Sequence, residues 1–334
     1  MIRYGILGFG LHAVRRLMPG FELAKSCRVT ALSRRNLEQA RASAKQYGIP
    51  LAFDSAEQLC RSPEVDVVLV TTPNSCHLHD VLLALSCDKP VLVEKPMGMN
   101  AAECRRMVEA AQKAKLLLGV AQVFRFEEST HRLRERIAAG DVGKITFVSS
   151  EFSYSGRVHA RKWLNVRALA GGGPIADVGV HCIDALRFIL QDEVARVSAR
   201  TTSDADSGDV EAAAVITLEF RSGVLGAVLV STRAEYRTPM EIVGEGGVLR
   251  ADDALTVEHP VRIELRRNSE IVDTERVSNR LAYAKQVDAF ATAIEGKGPF
   301  PVPGEEGWKN QLVLDAAYAS AKSGRVQKVP VIAR

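Results

Sequence analysis

The stretch IRYGILGFGLHA, residues 2–13, decides the fold class of this 334-residue chain. Its first half, Ile2–Leu7, is a short apolar run typical of a β-strand, and a helical pattern follows from Leu11 to about Lys25. A strand that passes through a glycine-rich turn into a helix is the opening unit of a βαβ arrangement. The sequence therefore predicts that a parallel sheet begins here.

The turn nearly matches GxGxxG, with alanine at the third position, and consists of Gly8, Phe9, Gly10, Leu11, His12 and Ala13. The first glycine permits a tight turn, the second lets the backbone approach a pyrophosphate, and the third position needs only a small residue. Anions bind over the unpaired N–H groups of a helix N-terminus. In this context the motif predicts a dinucleotide site. The alternative is a glycine turn that merely joins a strand to a helix.

The first third of the chain continues to alternate between strands and helices. Apolar runs indicate further strands at Arg28–Ser33, Val65–Thr71, Pro90–Val93 and Leu116–Ala121. Helical patterns separate them at Leu37–Tyr47, Leu78–Ser86 and Ala101–Ala114. Continuous apolar strands are expected where helices cover both faces of a sheet. The fold class predicted for residues 1–122 is therefore α/β, a Rossmann dinucleotide-binding domain with a doubly wound parallel sheet.

Residues 123–334 are predicted to form an α+β domain for substrate binding and oligomerisation. From Val194 to Arg276 strands follow one another through tight connections, which indicates a large, mostly antiparallel open sheet with helices on one face. Two closing helices, Leu281–Ile294 and Glu305–Ser323, can pack back on the first domain. Because a large open sheet face is a liability, we expect a homodimer or homotetramer through this sheet.

Composition and charge argue against several classes of partner. Hydrophobic residues make up 46% and charged residues 25%, and the net charge of +4 gives no reason to expect nucleic acid or a membrane surface. No apolar stretch is long enough to span a bilayer, and the N-terminal segment lacks the pattern of a secretory signal. The six cysteines form no CxxC pair, so no metal site is expected and a cytoplasmic location is predicted.

Three residues at the end of the second strand, Ser33, Arg34 and Arg35, bear on the choice of cofactor. NAD-dependent enzymes normally carry an acidic residue here, which binds the adenosine ribose hydroxyls. A serine and two arginines suit a 2′-phosphate instead, because the planar fork of arginine matches phosphate oxygens. The segment favours NADP(H), with NAD(H) as the other cofactor to consider. The alternative is that both arginines are solvated surface charges.

Lys95 lies in Glu94-Lys95-Pro96, directly after the predicted strand Pro90–Val93. Ligands bind beyond the carboxyl ends of such strands, and an ammonium group there can stabilise negative charge on a substrate oxygen. Pro96 forces the chain to turn, and a cis peptide bond fits such a turn. By composition alone, a lysine after a strand is usually a surface residue.

Asp177, His181 and Asp184 are spaced four and three residues apart, so that a helix places them on one face. Histidine suits proton transfer near neutral pH, and a neighbouring carboxylate can orient its ring. The glycines at 171–173 would let this helix approach a cofactor closely. The alternative is that Asp177 caps the helix and His181 is an ordinary polar residue.

These segments together resemble the Gfo/Idh/MocA oxidoreductase family, named after glucose-fructose oxidoreductase, inositol dehydrogenase and a rhizopine-catabolism protein. The resemblance covers essentially the whole chain and rests on Gly8–Ala13, Thr71-Thr72-Pro73-Asn74 with His77, Glu94-Lys95-Pro96, Arg125-Phe126 and Asp177–Asp184. It implies that Lys95, Asp177 and His181 form the catalytic set. The chain departs from the family at Asp88, where many members have glycine, and in lacking an acidic residue near Ser33.

The resemblance implies an oxidoreductase that transfers a hydride between nicotinamide and a sugar-like or polyol carbonyl or alcohol, and the basic segment adds the preference for NADP(H). Besides the glycine-rich turn and the basic segment, the expected cofactor contacts are Thr71, Thr72, Pro73, Asn74, His77, Glu94, Lys95 and Pro96. The expected substrate contacts are Lys95, Arg125, Phe126, Trp163, Asp177, His181 and Tyr283. Two alternatives stay open: a dehydrogenase of another cyclic alcohol, such as an inositol or a dihydrodiol, and a non-catalytic regulator that senses dinucleotide or sugar.

Overall fold

The computed structural model describes residues 1–156 and 161–332. Contacts divide the chain into two compact units. Unit 1 comprises Met1–Val123 and Leu281–Trp308, and unit 2 comprises Phe124–Arg280 and Lys309–Arg334. The sequence-based boundary assigns residues 281–308 to the second domain, with the expectation that the closing helices pack back on the first, and contacts group these residues with unit 1. The reason is packing, because the backbone at Tyr283 lies directly against Gly20.

The strands, numbered in chain order, are β1 (Ile2–Leu7), β2 (Cys27–Ser33), β3 (Leu51–Phe53), β4 (Val67–Val70), β5 (Val91–Glu94), β6 (Leu118–Ala121), β7 (Ile145–Ser155), β8 (Val194–Thr202), β9 (Ala213–Phe220), β10 (Leu225–Ser231), β11 (Arg233–Arg237), β12 (Met240–Gly244), β13 (Gly247–Ala251), β14 (Val261–Arg267), β15 (Glu270–Val277) and β16 (Gln327–Lys328). The α-helices are α1 (Met18–Leu23), α2 (Leu37–Tyr47), α3 (Ala56–Arg61), α4 (His77–Ser86), α5 (Ala101–Ala114), α6 (Glu128–Ala138), α7 (Arg167–Ala170), α8 (Val180–Leu190), α9 (Ala282–Ile294) and α10 (Gly304–Ser323). Turns of π-helix occupy Ala13–Leu17 and Ile175–Gly179. Turns of 3₁₀-helix occupy Asn74–Cys76, Val123–Phe126, Lys162–Asn165 and Ala205–Ser207.

Unit 1 contains a six-stranded sheet in the order β3-β2-β1-β4-β5-β6, and each neighbouring pair is parallel. This is the strand order of a Rossmann dinucleotide-binding fold. All residues of β4, β5 and β6 are buried, as their continuous apolar sequences predict. The predicted doubly wound parallel sheet is confirmed.

Unit 2 contains a ten-stranded sheet in the order β15-β14-β13-β12-β7-β10-β9-β8-β16, with β11 paired to β7. Among its described strands, only β7 and β10 pair in parallel, so the predicted mostly antiparallel sheet is also confirmed. Along β9 buried and exposed residues alternate, as in a sheet that is covered on one face. In the described residues of the chain, no helix is both long and apolar enough to cross a membrane.

Local sequence signals account for most element ends, but not for every element. Helix α2 has its predicted bounds because the Asn36 side chain accepts a hydrogen bond from Gln39 N and Gly48 adopts a left-handed φ of +64°. The helix predicted from Leu11 is helical at Leu11 and His12 and then passes into a π turn at Ala13–Leu17, whereas the helix predicted from Ile175 begins as a π turn. The short elements β3 and α3 were not predicted, because three to six residues show no clear apolar period.

Candidate active site

The glycine-rich turn of unit 1 forms an open backbone cradle. Gly8 has a φ of +87°, and a Cβ atom there would lie 2.9 Å from the backbone nitrogen of Thr72, so only glycine fits. A Cβ atom at Gly10 would meet nothing closer than the Gly8 oxygen at 3.7 Å, so the backbone at Gly10 is open to an approaching group. These features fit the pyrophosphate of a dinucleotide at the start of a helix.

The basic segment after β2 has one fixed and one exposed arginine. The Arg34 guanidinium donates to Ser43 Oγ at 2.8 Å and to Gln39 Oε1 at 3.1 Å, which holds it along α2. Arg35 is exposed. Ser33 is buried, and its hydroxyl oxygen lies 3.4 Å from the Gly8 nitrogen, where it supports the turn. A contact of this segment with a 2′-phosphate stays a prediction.

Glu94 and Lys95 lie at the carboxyl end of β5, and the Lys95–Pro96 peptide bond is cis, as the turn indicated. Glu94 Oε2 accepts a hydrogen bond from the Lys95 backbone nitrogen at 3.2 Å, and Glu94 Oε1 lies 2.7 Å from His12 Nε2. Burial alone would raise the pKa of Glu94, but the charge and hydrogen bond of His12, together with Lys95 and His77, hold it below its ordinary value. Glu94 is therefore a buried carboxylate beside the predicted catalytic lysine.

The segment after β4 supports both the glycine-rich turn and the lysine segment. Thr71 Oγ1 donates to the Gly8 carbonyl oxygen at 2.9 Å. The ring nitrogens of His77 each lie 3.0 Å from a carbonyl oxygen, one of Pro96 and one of Thr72. His77 is fully buried, and this burial lowers its pKa. His77 thus joins the backbone of the Lys95 segment to that of the segment after β4. Cofactor contacts by the segment after β4, including Pro73 and Asn74, stay predictions.

In unit 2, Asp177 and His181 lie where a π turn passes into α8. Asp177 is within the turn Ile175–Gly179, and His181 is the second residue of the helix. Such π turns occur frequently at functional sites. Both side chains are largely buried, with exposed fractions of 9% for Asp177 and 7% for His181. Asp177 Oδ2 accepts a 2.7 Å hydrogen bond from the hydroxyl of Tyr154 on β7.

Two aromatic rings surround His181. The ring of Phe124 lies 4.4 Å from that of His181, centroid to centroid, and the Phe152 ring lies 6.2 Å away in a nearly parallel orientation. These contacts limit the orientations that the imidazole can adopt. A histidine held in one orientation can move a proton at a defined position, which a freely rotating surface histidine cannot do.

Asp184 and Arg125 form a buried ion pair within unit 2. The Arg125 Nε and Nη2 atoms lie 2.7–3.0 Å from the Asp184 carboxylate, which also accepts from Asn310 Nδ2 at 2.7 Å. Asp184, the third residue of the Asp177–His181–Asp184 pattern, is therefore part of a structural network. Phe126 is likewise buried. Contacts of Arg125 and Phe126 with substrate stay predictions.

Trp163 and Tyr283 are both half-buried. Trp163 lies in the turn Lys162–Asn165 of unit 2, whereas Tyr283 is on α9 of unit 1, with its ring 6.1 Å from that of His12. His159, which precedes Trp163 in the sequence, lies outside the described residues. The substrate contacts of Trp163 and Tyr283 stay predictions.

Two residues that sequence reasoning missed stand out in unit 2, Tyr154 and Glu211. They line a recess together with Gly173, Asp177 and Thr232. Glu211 Oε1 accepts hydrogen bonds from the Ile175 backbone nitrogen at 3.1 Å and from the Tyr318 hydroxyl at 2.9 Å. The alternation of β7, which brings Phe152 and Tyr154 to one face, was a signal for Tyr154. Nothing in the local sequence singled out Glu211.

The structure also explains two of the glycines before the π turn. A Cβ atom at Gly172 would collide with the Tyr318 hydroxyl, and one at Gly173 would collide with the Glu211 carbonyl oxygen. Close packing within unit 2 therefore requires glycine at both positions. This packing holds the segment that leads to Asp177 in place.

Three features define the class of dinucleotide-dependent oxidoreductases. Unit 1 has a Rossmann sheet with an open glycine cradle and a lysine after β5, and unit 2 has an Asp–His pair. The family model of the oxidoreductase family with an NAD-binding Rossmann fold matches residues 2–122, and that of the GFO/IDH/MocA C-terminal domain matches residues 130–250. The chain belongs to the Gfo/Idh/MocA family.

Individual relatives match over nearly the whole chain. A 1,5-anhydro-D-fructose reductase of Ensifer adhaerens is 30% identical, covering 98% of this chain and 99% of the relative. A D-xylose 1-dehydrogenase (NADP(+)) of Haloferax volcanii is 30% identical, covering 96% and 98%. The crystal structure of an aldose-aldose oxidoreductase from Caulobacter crescentus, complexed with glycerol, superposes with a TM-score of 0.87 at 27% identity and covers 98% of this chain and 99% of that one.

Proposed function

We propose that this protein is an NADP-preferring dehydrogenase or reductase that acts on a sugar-like or polyol substrate. The observation that carries the proposal is the Lys95 segment. It follows β5 of a Rossmann sheet whose glycine cradle is open, and it is supported from both sides by His12–Glu94 and by His77. The names of the relatives, a reductase of an anhydro-sugar and a dehydrogenase of a pentose, support the substrate class.

Each proposed catalytic residue has a chemical task. When bound, the nicotinamide exchanges a hydride with the substrate carbon. In the direction of oxidation, His181 accepts the proton of the substrate hydroxyl, and Lys95 stabilises the negative charge that develops on the oxygen. Asp177, held by its hydrogen bond to Tyr154, supplies a carboxylate that orients the imidazole. In the direction of reduction, His181 returns the proton to the oxygen of the carbonyl.

The preference for NADP rests on Ser33, Arg34 and Arg35 at the carboxyl end of β2. The relative from Haloferax volcanii carries NADP(+) in its name. Arg34 is preoriented by its bonds to α2, and Arg35 is exposed and accessible to a phosphate. No acidic side chain replaces them at the end of this strand. NAD(H) is the competing cofactor.

We also propose that the chain forms a homodimer or homotetramer through the sheet of unit 2. Phe147, Val215, Leu225 and Leu229 are each at least 40% exposed. They are neighbours across the sheet, because Leu225 pairs with Phe147 and Leu229 with Val215. Apolar side chains grouped in this way are typical of an interface. A Leu225→Asp variant is expected to lower the molar mass measured by light scattering, whereas Leu23→Asp, at an exposed leucine of unit 1, is not.

Each of the six cysteines, all within the described residues, is present as a thiol, which is the state expected in a reducing compartment. We therefore propose a cytoplasmic location. The test is to fractionate the cells that produce the protein and to measure how much of it is in the cytoplasmic fraction.

The test of the function is turnover of a substrate panel with NADPH and NADH. The panel contains 2-keto sugars, aldoses, inositols and dihydrodiols, so that the competing dehydrogenase activities are outcomes of the same experiment. His181→Ala is expected to lower kcat by about 100-fold or more, and the exposed His259→Ala serves as its control. Dinucleotide binding without turnover of any compound would favour a regulator. Unchanged turnover in His181→Ala would overturn the assignment of the proton-transfer residue.

A further inference from the structure

His12 connects the glycine-rich turn to the catalytic lysine segment within unit 1. Its Nε2 atom lies 2.7 Å from Glu94 Oε1, and since a carboxylate can only accept, His12 carries the proton of this bond. The His12 side chain is 25% exposed and that of Glu94 is 10% exposed. The dinucleotide motif requires only a turn and small residues, and it assigns no task to the side chain at this position.

The opposite end of the same carboxylate holds the backbone at Lys95. Glu94 Oε2 accepts from the Lys95 nitrogen at 3.2 Å, so that one carboxylate joins the cradle to the lysine segment. The other groups that act on the pair are Lys95 and His77, which act electrostatically on Glu94, and Tyr283 of α9, whose ring is edge-on to His12 at 6.1 Å. The geometry therefore concentrates charge at the edge where an anionic pyrophosphate binds.

A bare carboxylate at this edge would repel an anionic dinucleotide. A positively charged His12 compensates the charge of Glu94. His12 belongs to the glycine-rich turn, on which the pyrophosphate would lie. Protonated His12 makes the pair neutral, whereas neutral His12 leaves the negative charge of Glu94 at the cradle. A positively charged His12 should consequently strengthen the binding of an anion.

We infer that His12 is a positioning residue that holds Glu94 and the Lys95 segment against the glycine-rich turn and whose positive charge strengthens dinucleotide binding. This inference rests on the dinucleotide binding in the proposed function and is independent of the substrate. It assigns two separable tasks to one side chain, a hydrogen bond that sets position and a charge that sets affinity.

The two tasks are separated by two substitutions. His12→Gln retains a donor for Glu94 but loses the charge, and His12→Ala loses both. The matched control is His79→Gln, which removes a histidine 3.0 Å from a carboxylate, Asp80, at a site where the histidine is 77% exposed. Calorimetric titration of the full chain with NADPH and with NADH measures the dissociation constants.

His79→Gln is expected to bind both dinucleotides as the wild-type chain does. Both His12 variants should bind about tenfold more weakly. With an identified substrate, His12→Gln should retain most of kcat and His12→Ala should lose it, because only alanine releases Glu94. Thermal melting of both variants shows whether the fold is retained.

A dissociation constant of His12→Gln within twofold of the wild-type value would overturn the inference. Absence of dinucleotide binding by the wild-type chain would overturn both the inference and the proposed function. If the wild type binds dinucleotide but turns over no sugar, only the substrate proposal fails, and the titrations still decide the task of His12.

Discussion

The hydroxyl of Tyr154 donates a 2.7 Å hydrogen bond to Asp177 Oδ2, across 23 residues of sequence. Burial, followed by the charge of Asp177, raises the pKa of Tyr154, so this phenol stays protonated and acts as a permanent donor. The bond fixes the orientation of a carboxylate that we propose to be catalytic. Tyr154 is therefore a positioning residue for Asp177.

Tyr154→Phe should lower kcat by about 10- to 100-fold, because a hydrogen bond to a charged group contributes roughly 1.5–3 kcal/mol. The matched control is Tyr4→Phe, which loses a buried 2.9 Å hydrogen bond to the Val287 carbonyl oxygen in unit 1. Both variants should melt at a lower temperature, but only Tyr154→Phe should show the large loss of kcat. Similar kinetic losses in both would mean that Tyr154 serves stability alone.

Gly8 and Gly10 should respond differently to alanine. Gly8→Ala introduces a side chain at a φ of +87° and close to the Thr72 backbone, so it should lower the melting temperature by several degrees. Gly10→Ala meets no close atom and should melt within about 2 °C of wild type. It should nevertheless weaken dinucleotide binding at least tenfold, because the added methyl group occupies the approach to the backbone. Wild-type affinity in Gly10→Ala would contradict the proposed cradle.

The two arginines after β2 should strengthen the binding of NADPH and leave the binding of NADH unchanged. Arg34→Ala and Arg35→Ala are each expected to weaken NADPH binding about tenfold, since each removes a cation from a 2′-phosphate. Arg41→Ala, an exposed arginine on α2, controls for the loss of one positive charge. Fluorescence titration with both dinucleotides measures the effect. Equal affinities of the wild type for NADPH and NADH would remove the basis for the NADP preference.

Asp184→Ala should be strongly destabilising. It leaves the buried Arg125 guanidinium without its carboxylate and also removes the acceptor of Asn310. Breaking such a pair costs about 3–5 kcal/mol, measured by denaturant unfolding. Glu57→Ala breaks the exposed pair with Arg61 and should change the free energy of unfolding little. A cost for Asp184→Ala as small as that of Glu57→Ala would show that the network contributes little.

His77 should make the free energy of unfolding depend on pH. Burial lowers its pKa from 6.5, so below that pH the unfolded chain binds a proton that the folded chain does not. Stability is therefore fully present above pH 6.5 and is lost as the pH falls, by up to about 1.4 kcal/mol per pH unit. Denaturant unfolding between pH 5.5 and 7 measures this slope. His77→Gln should have a smaller slope, and an unchanged slope would show that other groups cause it.

The sequence predicted the class of both sheets because apolar periodicity reports which strand faces are covered. It also predicted the bounds of α2, where a capping asparagine and a left-handed glycine act within a few residues. The departure at Asp88 matches the structure, since Asp88 adopts a φ of +58°, where glycine is usual. The π turns were not predictable in this way, because they differ from an α-helix by one hydrogen-bond register and not by composition.

The sequence by itself thus determined the cradle at Gly8 and Gly10 and the placement of Lys95 after a buried strand, because backbone conformation and apolar pattern are local properties. Only the tertiary structure decided which side chains meet. His12 lies 82 residues from Glu94, Tyr154 lies 23 from Asp177, and Arg125 lies 59 from Asp184. Such pairs depend on strand order, on register and on which helix covers which face. Local propensities do not encode these relationships, since each arises from contacts between segments that are distant in the chain.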